Sequence, residues 1–216
     1  HAALQLRNSK KELKQANAVR EKLSEDVDQS FIDFIGESPA IMRVRELIER
    51  VSATEADVLI LGENGTGKQH LAREIHRRSL QKDGPFIHVD LGALSENLFE
   101  SELFGHKKGS FTDAYEDKPG RFEMAENGTL FLDEIANTSG LIQEKLLRVV
   151  EYGEFERVGG SRTIKTNARL IAATNEDLPS MADAGEFRAD LLDRLAFDVI
   201  TLPPLRERIE DIMVLA

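Results

Sequence analysis

Apolar positions recur along this chain with two periods, and the period switches repeatedly. In the first 30 residues Leu6, Leu13, Ala16, Leu23 and Val27 fall on a and d positions of a heptad, interrupted by Ser9 and Arg20. The same stretch is rich in Lys, Glu, Gln and Asn and holds no Gly or Pro. This predicts a helix, either a coiled-coil linker or a solvated helix packed on its own domain. Ile41, Val44, Leu47, Ile48 and Val51 again have helical spacing. Beyond them short apolar runs at 57–61, 86–91, 129–133, 168–174 and 198–202 predict strands. They alternate with helical patterns near 67–80, 95–104, 139–152 and 186–195, with Ser95 and Ser139 as N-caps. Strand–helix alternation of this kind predicts an α/β fold with a mostly parallel sheet covered on both faces, and ligands at the strand C-termini. Leu202-Pro203-Pro204-Leu205-Arg206-Glu207-Arg208 reads as a linker, after which Ile209 begins another helical pattern.

The first strand–helix junction carries the strongest chemistry. Gly62-Glu63-Asn64-Gly65-Thr66-Gly67-Lys68 follows Val58-Leu59-Ile60-Leu61 and precedes Leu71, Ala72 and Ile75. Backbone N–H groups of such a loop converge on an anion, and the helix N-terminus adds partial positive charge. Lys68 would reach the β- and γ-phosphates of a nucleotide. Gln69 stands where the general pattern has a Ser or Thr for Mg²⁺. A second nucleotide element therefore matters, and Thr129-Leu130-Phe131-Leu132-Asp133-Glu134 supplies it. An Asp at a strand end beside the phosphate loop can hold Mg²⁺, and the adjacent Glu can polarise an attacking water. Alone, either motif reads as a ligand-free turn or a solvated acidic turn; together they specify nucleotide chemistry.

Composition narrows the choice. The 216 residues carry a net charge of -11, which excludes a non-specific nucleic-acid binder built on clustered Lys and Arg. With no cysteine, a disulfide framework, a thiolate zinc site and a cysteine nucleophile are all excluded. No apolar run reaches membrane-spanning length and no signal peptide is visible, so no membrane partner and a cytoplasmic location are expected. The histidines form no compact ligand set; His70 and His76 read as helix-surface residues, and Phe122, Met124 and Phe131 as packing. The chain opens on His1 rather than Met and stops as a helical pattern begins, so it is expected to be a piece of a longer protein.

From about residue 31 to 216 the chain resembles the central AAA+ ATPase domain of bacterial enhancer-binding proteins, the NtrC-type activators of sigma-54 RNA polymerase. Gly62–Lys68 is similar to the family's Walker A, where Glu usually follows the Lys, so Gln69 is a small departure. Gly128–Glu134 is similar to its Walker B. Ala172-Ala173-Thr174-Asn175 looks like sensor I, in which Thr174 or Asn175 would report the γ-phosphate. Phe187–Leu195 resembles the segment with two arginine fingers, and Arg188 and Arg194 match them. The resemblance implies an AAA+ P-loop NTPase with ATP and Mg²⁺ as cofactors. Its nucleotide site would be Gly62 to Gln69 with Asp133, Thr174 and Asn175, and Glu134, Arg188, Arg194 and Asp90 would be catalytic. It also implies a ring of six or seven subunits when active, a dimer when inactive, and DNA contact through a domain absent from this chain. Residues 1–30 would be the linker from a regulatory domain such as a receiver, 31–205 the α/β subdomain, and 206–216 the start of a truncated helical lid.

Two departures bear on coupling. The family's sigma-54-contacting loop reads Gly-Ala-Phe-Thr-Gly-Ala; here it is Gly109-Ser110-Phe111-Thr112-Asp113-Ala114. Phe111 and Thr112 are retained, whereas Asp113 removes backbone freedom and adds charge. Asp90 stands where the family has an Asn thought to restrain the Walker B Glu. An ionised Asp donates no hydrogen bond and would repel Glu134, predicting altered switching or a shared proton. The favoured function is an ATP-hydrolysing activator that remodels the closed promoter complex. The rival is a nucleotide-gated assembly module that binds ATP and oligomerises without remodelling sigma-54.

Overall fold

The computed structural model describes residues 34–92 and 96–215. The predicted helix over 1–30 and the N-cap at Ser95 lie outside these residues. Residues 32–216 form one compact unit. Its centre is a five-stranded, wholly parallel sheet: β1 (Val58–Leu61), β2 (Phe86–Asp90), β5 (Thr129–Asp133), β8 (Arg169–Thr174) and β9 (Asp198–Thr201). The spatial order is β2-β5-β8-β1-β9. Leu130, Phe131, Leu132 and the whole of β8 are buried, as expected for strands covered on both faces. Register brings Asp90 level with Asp133, and Leu61 level with Thr174 and Thr201. The strand C-termini therefore end along one line.

Helix α1 (Pro39–Ser52) starts where the sequence dictates: Ser38 accepts from the Ile41 N–H, and Pro39 has no N–H to leave unpaired. It buries Ile41, Val44, Ile48 and Val51 against α2 (Lys68–Arg78), which buries Leu71, Ala72 and Ile75. Each buried Ile, Val or Leu of this set contributes about 1.5–3 kcal/mol. His76, expected on the surface, is buried: Nδ1 meets Thr129 Oγ1 at 2.9 Å and the ring packs against Phe86. Four residues after Ala72, it lies on the core face of α2, and the hydroxyl on β5 satisfies it.

The other helices of the unit are α3 (Glu96–Phe104), the short α4 (Arg121–Met124), α5 (Gly140–Tyr152), α6 (Leu178–Asp183) and α7 (Ala189–Leu195). Ser139 occupies the N-cap of α5, but its Oγ makes no capping bond and is buried without a partner. The helix expected over 186–195 is α7, starting at Ala189, whereas α6 was not expected; a turn at Gly185, whose φ is +76°, separates the two. Two antiparallel hairpins went unforeseen: β3 (Gly105–His106) with β4 (Lys118–Pro119), and β6 (Glu154–Glu156) with β7 (Thr163–Lys165). At the sheet's N-terminal edge Arg169 is buried, and its Nε and Nη2 donate to the Ala56 and Val51 carbonyls. The nearby Asp57 accepts from the Leu170 N–H, and burial pushes its carboxyl up to about 6.

The chain ends in a 3₁₀ turn at Ile209–Asp211 and a helix α8 (Ile212–Leu215). The predicted linker at 202–208 is docked structure. Leu202 and Arg208 are buried, and Asp211 accepts from the Glu37 and Ser38 N–H groups and from Ser38 Oγ. No helix among the described residues is long and apolar enough to cross a membrane.

Candidate nucleotide site and its attached loops

Residues 62–67 leave the end of β1 and turn into α2. Gly65 and Gly67 have φ of +78° and +102°, a region that disfavours any residue with a Cβ. A Cβ on either would meet nothing within 4 Å, so the space beside the loop is open to a phosphate. Gly62 is required for a different reason: a Cβ there would lie 2.9 Å from Thr66 Oγ1 and 3.1 Å from Leu202. Lys68 is buried and its Nζ donates to the carbonyls of Gly62 at 2.9 Å and Glu63 at 3.3 Å. The ammonium thus sits over the loop. Thr66 Oγ1 donates to the Glu63 carbonyl, and the Gly62 N–H donates to the Thr174 carbonyl. The loop fits an anion through N–H groups, a helix N-terminus and one lysine.

The 202–208 segment straps this loop. Arg206 holds Glu63 in a two-bond fork at 2.8 and 2.6 Å, and this guanidinium keeps the Glu63 carboxyl below the usual carboxylate range. Arg208 donates to the Thr66 carbonyl at 2.8 Å. Asn64 is exposed at the loop tip. Gln69 faces β2, with Nε2 3.5 Å from His88 Nδ1. The His88 ring stacks on Phe131, and burial lowers its pKa.

Asp133 ends β5, separated by β8 from the loop-bearing β1, and its Oδ1 accepts from the Glu134 N–H. Among the described residues no cluster of three or more His, Asp or Glu could hold a metal. Mg²⁺ needs no such cage: one carboxylate plus nucleotide phosphates and water suffice, which Asp133 fits. Glu134 has φ +59°, one of two positive values among the described non-glycine residues. Such a conformation costs about 1–3 kcal/mol and is concentrated at functional sites. Glu134 Oε2 accepts from Asn137 Nδ2 at 2.8 Å. Asp90 Oδ1 accepts from the Gly92 N–H at 2.9 Å. Each carboxylate has its own neutral donor.

At the end of β8, Thr174 is fully buried and its Oγ1 accepts from the Glu176 N–H. Asn175 is exposed, with Nδ2 3.4 Å from Glu176 Oε1. Of the two sensor candidates, Asn175 is the one open to a ligand. Arg188 is the half-buried N-cap of α7, and Arg194, in the last turn of that helix, is exposed. Arg188 forms a fork with Asp190 at 3.0 and 2.7 Å; Arg194 meets Glu151 at 2.8 Å. Neither points at this chain's own phosphate loop through any bond. Gln143, which the sequence did not flag, joins the two regions. It is buried; Nε2 donates to the Thr138 and Glu186 carbonyls and Oε1 accepts from the Arg188 N–H. A polar residue on the helix face of Ile142, Leu146 and Val149 was the available signal.

The segment with Phe111 and Thr112 leaves the fold on a fixed foot. Gly105 and Gly120 lie back to back at the base of the β3–β4 hairpin; a Cβ on Gly120 would come within 2.3–2.4 Å of backbone atoms of residues 103–105. Phe104, Phe122 and Phe155 form an aromatic cluster with centroids 5.6–6.0 Å apart. It joins this foot to the second hairpin, which is also held by the Lys107 N–H to Val158 carbonyl bond and an Arg157–Glu123 fork. Phe111 is 39% exposed and packs edge-on against His106 at 4.9 Å. Asp113 and Thr112 are exposed. Asp113 is not among the positive-φ residues; Gly109, at +82°, makes the turn. The backbone therefore accepts Asp113 without strain.

Comparison with known proteins agrees with this arrangement. The chain is 55% identical over 184 residues to the Psp operon transcriptional activator of Escherichia coli (strain K12), covering 85% of this chain and 57% of that protein. It is 56% identical over 182 residues to the Nif-specific regulatory protein of Rhodobacter capsulatus, covering 84% of this chain and 31% of that one. It thus spans from about a third to just over half of these relatives. Among solved structures, NtrX from Brucella abortus in complex with ATP superposes with a TM-score of 0.80 at 37% identity, over 90% of this chain and 42% of that chain. The P-loop NTPase domain of a sigma-54 activator from E. coli, at 23% identity and a TM-score of 0.54 over 79% of this chain and 99% of its own, shares the fold. The Sigma-54 interaction domain family matches residues 34–201, which take in the sheet, the glycine loop and both hairpins. This chain, an AAA+ P-loop NTPase in fold, belongs to the Sigma-54 interaction domain family.

Proposed function

We propose that this chain is the ATP-hydrolysing module of a sigma-54-dependent transcription activator, working in a ring and driving closed promoter complexes open. The observation that carries this reading is the meeting of Lys68, Asp133, Glu134 and Asn175 at one end of a parallel sheet, with a separately footed loop presenting Phe111. ATP would lie with its phosphates against the N–H groups of residues 62–68. On ligand arrival Lys68 exchanges two backbone carbonyls for phosphate oxygens, a charge-assisted pairing that is the stronger one. Mg²⁺, held by Asp133 together with the nucleotide, would neutralise phosphate charge. Glu134 orients the attacking water, and Asn175 contacts the γ-phosphate. Arg188 and Arg194 face outward and act on a neighbour's nucleotide, where such a finger is worth about 10³–10⁵ in rate. Hydrolysis then moves the loop carrying Phe111 and Thr112 against sigma-54.

The test is ATP turnover per subunit across protein concentration, followed by open-complex formation with sigma-54 polymerase. Specific activity that rises with concentration, with open complexes, is expected. Concentration-independent turnover would remove the shared site. Turnover or assembly without open complexes would leave the nucleotide-gated module as the function.

A further inference from the structure

Glu134 is held from two sides in a way the motif pattern does not foretell. Its left-handed backbone ends β5 and starts a 3₁₀ turn at Ile135–Asn137. In such a turn residues i and i+3 eclipse, so Asn137 lies over Glu134. The Asn137 N–H donates to the Glu134 carbonyl at 3.0 Å, and its side-chain Nδ2 donates to Glu134 Oε2 at 2.8 Å. From the other side comes Gly92, after β2. A Cβ there would lie 2.0 Å from Glu134 Oε2 and 3.4 Å from Asp90 Oδ1. The carboxylate thus occupies a place that exists only because residue 92 is glycine. Asp90, the restraint that the resemblance would assign, accepts from the Gly92 N–H instead.

We propose that Asn137 is the positioning residue for Glu134, seating its Oε2 against Gly92 and leaving Oε1 to accept from the attacking water. The inference rests on Glu134 being the water-orienting carboxylate. A base held by a third group is the general arrangement for activating a nucleophile, since it fixes which oxygen faces the reacting atom. Asp90 cannot perform this task as an anion, because it has no hydrogen to donate. It serves instead to hold the Gly92 backbone, and with it the wall of the seat. Asn137 is solvent-exposed, so water competes for its amide, and the bond's value is in orientation.

The experiment measures kcat, KM and fluorescent-ATP affinity on the full chain for Asn137→Ala, Asn137→Gln, Gly92→Ala, Glu134→Gln and the Glu134→Gln/Asn137→Ala pair. Asn137→Ala is expected to lower kcat on the order of tenfold, the worth of a hydrogen bond to a charged group, with nucleotide affinity unchanged. Asn137→Gln, which keeps the amide, should recover part of the loss. Gly92→Ala should lower kcat as well, by displacing the carboxylate. In the Glu134→Gln background, Asn137→Ala should have no further effect, because residues acting as a unit are non-additive. Wild-type kcat in Asn137→Ala, a raised kcat, or an equal additional loss in the double variant each overturns the proposal. Full turnover in Glu134→Gln would instead remove the role of Glu134 on which it rests.

Discussion

Gln143→Met tests whether one buried amide holds the arginine-bearing segment to the rest of the domain. Methionine matches glutamine in length and lack of branching, so the substitution removes hydrogen bonds and little volume. Three backbone groups lose their partner: the Thr138 carbonyl (2.8 Å), the Glu186 carbonyl (3.2 Å) and the Arg188 N–H (2.8 Å). A buried group left unsatisfied costs about 1–3 kcal/mol. The bond to Thr138 is buried and the other two partly so, which puts those two at the low end. Offset by the apolar burial of methionine, the net loss is about 3 kcal/mol. At a urea m value of about 2–3 kcal/mol per M, the midpoint falls by about 1–1.5 M. Amide exchange at Arg188 should accelerate with it, since that N–H loses its acceptor. A midpoint shift under about 0.3 M, with Arg188 exchange unchanged, would refute the argument.

Asp57 gives a pH signature. Its carboxyl is raised from 3.8 to about 6 in the fold by burial, so the folded state binds the extra proton. Its stabilising contribution is therefore full below about pH 4 and lost as pH rises through about 6. Relative to wild type, Asp57→Asn should gain on the order of 2 kcal/mol between pH 4.5 and 7.5 in paired urea titrations; a pH-independent difference sinks this. If Arg194 acts on a neighbour's nucleotide, mixing inactive Arg194→Ala with inactive Glu134→Gln subunits should restore part of the turnover, because some interfaces then combine an intact finger with an intact carboxylate. No recovery at any ratio places the arginine in its own site. Asp113→Gly should leave thermal stability within about 0.5 kcal/mol, because position 113 has an ordinary φ, while raising open-complex yield by removing a charge from the loop tip. A large loss of stability contradicts the first part, and an unchanged yield the second.

The sheet was legible because buried parallel strands are short apolar runs bounded by helices; each of the five falls within a residue or so of its expected place. The loop at 62–68 and the Asp133–Glu134 pair were legible because they are local words attached to those strands. The hairpins were not. Gly105–His106 and Lys118–Pro119 are too short to show a period, and are held by glycines back to back and by an aromatic cluster drawn from positions 104, 122 and 155. The stretch 202–208 reads as a linker because its prolines break periodicity, whereas the attachment of 202–211 comes from Arg206, Arg208 and Asp211 meeting partners more than 140 residues away. His76 was misplaced because a histidine on a mostly polar helix gives no sign of the hydroxyl waiting on β5. Asn137 and Gln143 are ordinary polar residues until the fold shows what they face.

The glycine pair and aromatic cluster beneath the Phe111 loop separate two kinds of variation. The foot sets the direction and height at which the tip is displayed, and no side chain can be added at Gly105 or Gly120 without dislodging it. The tip, from Gly109 to Tyr115, is held mainly by its own turn bonds. Its chemistry is therefore free to drift while its address stays fixed. Asp113 is a trace of that freedom: a change in what the loop says, with no change in where it is said.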